Sequence, residues 1–107
     1  YDIVKMNQLS PFMLIAGEVK EEWRSKIPAV THVDNTCRPQ SVNKTQNLII
    51  HEALTLFEKE TGCPVFMNTS FNLRGEPIVD SPKDAVNTFL NSNLDYLLIQ
   101  GFLVERI

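Results

Sequence analysis

Ile49, Ile50, Ala53, Leu54 and Phe57 recur at helical spacing through residues 46–61, so one stripe of a helix there must find apolar cover. Gly62 and then Cys63-Pro64 follow at once. Glycine accepts the left-handed residue that closes a helix, and proline cannot continue one. Residues 64–67 are short and apolar and read as a buried strand, which runs straight into Asn68-Thr69-Ser70-Phe71-Asn72. Polar side chains at a strand end open onto a crevice. A helix followed directly by a buried strand needs a sheet to pack on, which points to an α/β fold.

The remaining segments fit that class. Residues 12–16 form an apolar run ending at Gly17, residues 18–26 are charged, and residues 29–34 mix Ala29, Val30 and Val33 with Thr31 and His32 before Asp34-Asn35. These predict a strand, an exposed connection and a second strand that ends in a turn. Ser81, Pro82 and Asp84 supply an N-cap, a first-turn proline and a first-turn carboxylate, and Ala85, Val86, Phe89 and Leu90 carry that helix inward. Residues 95–99 and 102–105 are apolar with Gln100-Gly101 between them, the pattern of a two-residue hairpin. The predicted order is strand, strand, helix, strand, helix, strand, strand, an α/β sandwich with a mixed sheet and no internal repeat or linker.

With 107 residues, 43% of them hydrophobic and 21% charged, the chain has the means for one modest core. It starts at Tyr1 rather than Met, so we expect a piece of a longer protein. No apolar run approaches the roughly 20 residues that span a bilayer, and no signal-peptide layout is present. A formal net charge of -3 without a basic block argues against broad nucleic-acid or acidic-membrane binding. Cys37 and Cys63 have no metal-ligand spacing with His32 or His51, so reduced, cytoplasmic thiols are expected and no metal site is. Beside Arg38, an exposed Cys37 would have a lowered thiol pKa. Trp23 offers a face for a base or for packing, and packing is favoured.

Two constellations could carry chemistry. Residues 68–76, Asn68-Thr69-Ser70-Phe71-Asn72-Leu73-Arg74-Gly75-Glu76, set short hydroxyl and amide donors beside a cation and a glycine, which suits an oxyanion. The same residues also suit an elaborate turn in which Arg74 and Glu76 form a surface pair. Residues 31–40 bring His32, Asp34 and Arg38 close together. Arg38 has the fork geometry to grip a phosphate and His32 can bond an anion or move a proton. Against that stand a structural histidine and an Asx-type turn at Asp34-Asn35-Thr36. No Walker A or dinucleotide glycine motif decides between these readings.

The ordered motifs Ser10-Pro11-Phe12-Met13, residues 28–34 leading to Arg38-x-Gln40-Ser41-Val42, Thr61-Gly62-x-Pro64-Val65, and Asn68-Thr69-Ser70-Phe71-Asn72-x-x-Gly75-Glu76-Pro77-Ile78-Val79 together resemble the C-terminal domain of the nodulation and antibiotic-tailoring O-carbamoyltransferases. Pro82-x-Asp84-Ala85 and Leu94-Asp95-x-Leu97 also fit, so the resemblance spans residues 1–107 almost entirely. It departs at Asp34-Asn35-Thr36-Cys37-Arg38, where the family usually has Asp-Gly-Thr-Ala-Arg. Asparagine tolerates a left-handed turn and a cysteine in place of alanine should pack.

This resemblance implies a YrdC-like twisted mixed sheet with helices, here an incomplete C-terminal portion of the domain. It further implies use of carbamoyl phosphate and ATP, with Mg²⁺, to make carbamoyl adenylate. An N-terminal transferase domain absent from this chain, with an actin-like ATPase fold and its own metal, would pass the carbamoyl group to an acceptor hydroxyl. By the same resemblance Arg38, Asn68 and Ser70 hold the phosphate and carbamoyl groups. Asn72 completes the Ser-x-Asn signature, Arg74 is a second cation, and His32 and Asp34 are supporting residues. An incomplete sheet leaves an open edge that a second copy can cover, giving a homodimer. The competing readings are a non-catalytic docking module and an RNA-binding YrdC-like module, the latter opposed by the acidic charge balance.

Overall fold

Short antiparallel pairings organise the first half of the chain in the computed structural model, which describes residues 3–107. The chain divides into two compact units, Tyr1–Met67 and Asn68–Ile107. Within the first, β1 (Val4–Lys5), β2 (Gly17–Val19) and β3 (Thr36–Cys37) form a sheet in the order β1-β2-β3, with Val4 opposite Val19 and Gly17 opposite Cys37. Val4, Val19, Ile27 and Cys37 are the buried core, and Ile3, Met6, Trp23, Val30, Cys63 and Val65 pack against it. Gly17 is required at its position, because a Cβ there would lie 2.5 Å from Val4 Cγ1 and 2.7 Å from Met6 Cγ.

Helix α1 (Glu21–Arg24) is a single turn that follows β2 directly. Arg24 folds back to donate from Nε to the Val19 carbonyl at 3.0 Å and pairs with Glu18 at 2.9 Å, beside the 2.9 Å Lys5–Glu18 bridge. The two cations, Lys5 foremost, hold the Glu18 carboxyl below its ordinary range. Trp23 therefore packs on its own unit's core, with Lys26 Nζ 4.6 Å from the ring centre.

Helix α2 (Leu48–Thr61) begins and ends as its sequence requires. Asn47 Oδ1 accepts from Ile50 N at 3.1 Å, and Gly62 takes the left-handed closing conformation at φ 72°. None of its residues is fully buried; the apolar side chains of Leu48, Ile49, Ile50, Leu56 and Phe57 keep substantial exposure.

In the second unit, α3 (Pro82–Asn91) starts with a complete capping box: Ser81 Oγ accepts from Asp84 N at 3.2 Å, and Asp84 Oδ2 accepts from Ser81 N at 3.1 Å. Ala85, Thr88 and Phe89 form its buried face. Strands β4 (Tyr96–Ile99) and β5 (Phe102–Glu105) pair antiparallel with Ile99 opposite Phe102. The loop residues Gln100 and Gly101 have φ of 49° and 83°, the two left-handed positions of a type I′ turn. On one face of this hairpin Tyr96, Leu98 and Leu103 are exposed.

The molecule is of the α/β class, and the helices at 48–61 and 82–91 and the terminal hairpin lie where the sequence predicts them. Elsewhere the strands differ from expectation. Residues 12–16 form no strand: Met13 has a left-handed φ of 57°, Phe12 and Leu14 are exposed, and the neighbouring backbone bonds across to residue 41 through Ser41 N to Ser10 O at 2.8 Å. The partner of Val4–Lys5 is instead Gly17–Val19, which runs into the stretch read as a connection. Residues 29–34 likewise form no strand, because Pro28–Val30 is a 3-10 turn and the Thr31 hydroxyl donates to Ile27 O at 2.9 Å. Residues 64–67 carry no ladder among the described residues; Val65 packs on the core and Phe66 meets the Phe57 ring at 5.2 Å. All ladders among the described residues are antiparallel, in place of the expected mixed sheet.

Candidate functional site

The polar loop of residues 68–76 is closed by its own hydrogen bonds. Glu76 N donates to Leu73 O at 3.0 Å across Arg74-Gly75. Gly75 has φ 87°, as the third position of a type II turn demands. Val79 N donates to Phe71 O at 3.0 Å and closes the wider loop. Asn72 Nδ2 donates to Glu76 O at 3.1 Å and, more weakly, to Leu73 O at 3.4 Å. The Asn72 amide nitrogen is thus used within the loop.

Asn68, Ser70 and Arg74 stay exposed in the same loop. The Arg74–Glu76 surface pair considered from sequence does not form. Glu76, itself exposed, instead uses its carboxylate locally: Oε2 accepts from Leu73 N at 3.1 Å and from the Thr88 hydroxyl of α3 at 3.3 Å. Sequence reading assigned no role to Thr88 and only a surface role to Glu76. The signal was the spacing Leu73-x-Gly75-Glu76, which puts a carboxylate at the fourth position of a glycine turn, within reach of the first residue's amide.

In the first unit the structure gathers His32 and Asp34 around Thr36. Asp34 Oδ1 accepts from Thr36 N at 3.0 Å and from the Thr36 hydroxyl at 2.7 Å, while His32 Nδ1 lies 3.2 Å from the same hydroxyl. Backbone bonds from His32 N to Thr36 O and from Asn35 N to His32 O complete the turn, with Asn35 at φ 64°. This is the Asx-type arrangement. The two Thr36 donors hold the Asp34 carboxyl below the ordinary aspartate range. The left-handed Asn35 stands where the resembled family has glycine.

Cys37 and Arg38 then point to opposite environments, as successive residues of an extended segment do. Cys37 is buried in the core and burial pushes its thiol pKa up. The lowered value expected for an exposed cysteine is therefore not found. Arg38 is exposed, and among the described residues neither Arg38 nor Arg74 has an ion pair.

Each unit by itself presents groups that suit an oxyanion: the Arg38 guanidinium in the first, and the Ser70 hydroxyl and Arg74 guanidinium in the second. The described residues contain no converging group of three or more His, Cys, Asp or Glu, and the carboxylates of Asp34, Glu76 and Asp84 are engaged by local donors.

Comparison with known proteins agrees with the resemblance read from the motifs. A family model described as "Carbamoyltransferase C-terminus" matches residues 1–106. Nodulation protein NolNO of Sinorhizobium fredii is 42% identical over 99% of this chain, which covers 16% of that protein. Nodulation protein U of Rhizobium tropici is 39% identical over 98% of this chain and 18% of its own length. An uncharacterized Synechocystis protein, sll1178, is 38% identical over 98% of this chain and 20% of its own length. The chain therefore spans about one-fifth or less of the length of these curated relatives. With the family model covering all but the last residue, this chain belongs to the carbamoyltransferase C-terminus family.

Proposed function

We propose that this chain is the part of an O-carbamoyltransferase that binds carbamoyl phosphate and ATP. The observation that carries the proposal is a family match over residues 1–106 in a chain whose two exposed guanidinium groups, Arg38 and Arg74, have no ion-pair partner among the described residues. In an acidic chain of net charge -3 such cations are available to an anion.

In this reading Arg38 is the charge clamp on phosphate, Ser70 and Asn68 donate to carbamoyl or phosphate oxygens, and Arg74 is a second cation. The loop bonds of Asn72 close the turn around Arg74, from Leu73 to Glu76. ATP would supply the adenylyl group: water would release phosphate from carbamoyl phosphate, the carbamate oxygen would attack the α-phosphorus, and pyrophosphate would leave, with Mg²⁺ entering on the ATP phosphates. A YrdC-like fold and transfer to an acceptor hydroxyl by a preceding domain belong to the same proposal, supported by the motif resemblance.

Calorimetric titration of the complete natural polypeptide with carbamoyl phosphate and a non-hydrolysable ATP analogue tests it. Binding that is lost in Arg38→Ala and Ser70→Ala, with folding intact, supports the assignment. A well-folded protein that binds neither ligand would remove it.

A further inference from the structure

We propose that Glu76 and Thr88 form a latch that positions the loop bearing Ser70, Asn72 and Arg74 for oxyanion binding; the proposal rests on the carbamoyl-phosphate reading above. Glu76 contributes four bonds. Its N–H donates to Leu73 O at 3.0 Å, its carbonyl accepts from Asn72 Nδ2 at 3.1 Å, and its Oε2 accepts from both Leu73 N at 3.1 Å and Thr88 Oγ1 at 3.3 Å.

Three of these lie within the loop, and the fourth ties the loop to α3. Thr88 is 5% exposed on the same helix face as Ala85 and Phe89, so its hydroxyl is held by a packed element. A buried hydroxyl needs a partner, and Glu76 supplies one. The helix thereby fixes the carboxylate, and the carboxylate fixes the Leu73 amide, one residue before Arg74. Ser70 and Arg74 flank the segment anchored in this way, so their separation is set by a contact that neither of them makes. Glu76 and Thr88 are positioning residues for the site.

Both side-chain bonds reach one oxygen, so a glutamine carbonyl can replace that oxygen and a methyl group cannot. The test uses the complete natural polypeptide, calorimetric titration with carbamoyl phosphate, and amide exchange over residues 68–76. We expect Glu76→Ala and Thr88→Val each to weaken binding by about tenfold and to speed loop exchange, while exchange over residues 48–61 stays unchanged. Glu76→Gln and Thr88→Ser should stay within about threefold of wild type, because each preserves the bond.

Should Glu76→Ala fail to fold, Thr88→Val, which replaces only a hydroxyl by a methyl, decides. Undiminished binding in Thr88→Val with loop exchange at the wild-type rate overturns the latch. So does a Glu76→Gln variant as impaired as Glu76→Ala, since that would assign the effect to charge. Wild-type protein that binds no carbamoyl phosphate instead removes the underlying reading and the latch with it, an outcome distinct from tight binding that ignores both substitutions.

Discussion

Arg106 lies over the Phe89 ring, its guanidinium carbon 5.3 Å from the ring centre, and donates from Nη2 to the Phe89 carbonyl at 2.7 Å. The same side chain also donates to the carbonyls of Leu90, Ser92 and Leu94. Helix α3 leaves its last carbonyls without internal partners, and a cation from beyond β5 satisfies them with favourable charge. Sequence spacing shows nothing of this, because Arg106 follows the hairpin and meets the helix only when β5 is in place.

Arg106→Ala should lower the unfolding free energy by about 1–2 kcal/mol, a charge-assisted bond network discounted for solvent exposure. Chemical denaturation checks it. Arg106→Lys should recover only part of the loss, since one ammonium cannot serve carbonyls spread over residues 89–94.

Gly17→Ala places a Cβ 2.5 Å from Val4 Cγ1 and should cost about 1–3 kcal/mol through overpacking. The expected readout is a lower urea midpoint with an unchanged slope. In a Val4→Ala background the further cost of Gly17→Ala should shrink, which a double-mutant cycle measures directly.

Asp34 should titrate below the ordinary aspartate value of 3.8 because the Thr36 hydroxyl and amide bond its ionised form. A depressed folded-state pKa contributes stability that is present above the unfolded value and is lost as pH falls through the folded value. The turn should therefore loosen only below pH 3.8. Carboxyl carbon NMR reads the midpoint, and Thr36→Val, which removes the hydroxyl, should move it upward.

Alkylation should separate the two free thiols. Cys37 is 6% exposed with its pKa raised by burial, whereas Cys63 is half-buried. Iodoacetamide at pH about 8 should label Cys63 first, as exposed thiols react and buried ones do not. Mass mapping of Cys37 modified ahead of Cys63 in the folded protein would contradict the packing described for β3.

The family and much of the polar architecture were legible in the residues. The Asx turn at Asp34 and the tolerance of Asn35 for φ 64° follow from side chains that act within two residues. The polar loop at 68–76 was also evident, but its two readings were not separable. The structure shows a closed turn that leaves Ser70 and Arg74 exposed. The bond between Glu76 and Thr88 was missed because the two residues lie twelve apart along the chain.

What the sequence determined by itself are the elements whose causes are local: the Asn47 and Gly62 ends of α2, the Ser81–Asp84 box of α3 and the Gln100-Gly101 hairpin. Each depends on backbone preference or on a side chain reaching three or four residues, and such information is contained in adjacent residues. Only the tertiary structure decided which short segments pair. Strands of two or three residues carry too little alternation to be read. Gly17–Val19 became the central strand instead of the more apolar residues 12–16 because it alone pairs with both Val4–Lys5 and Thr36–Cys37, a choice made by contacts between residues distant along the chain.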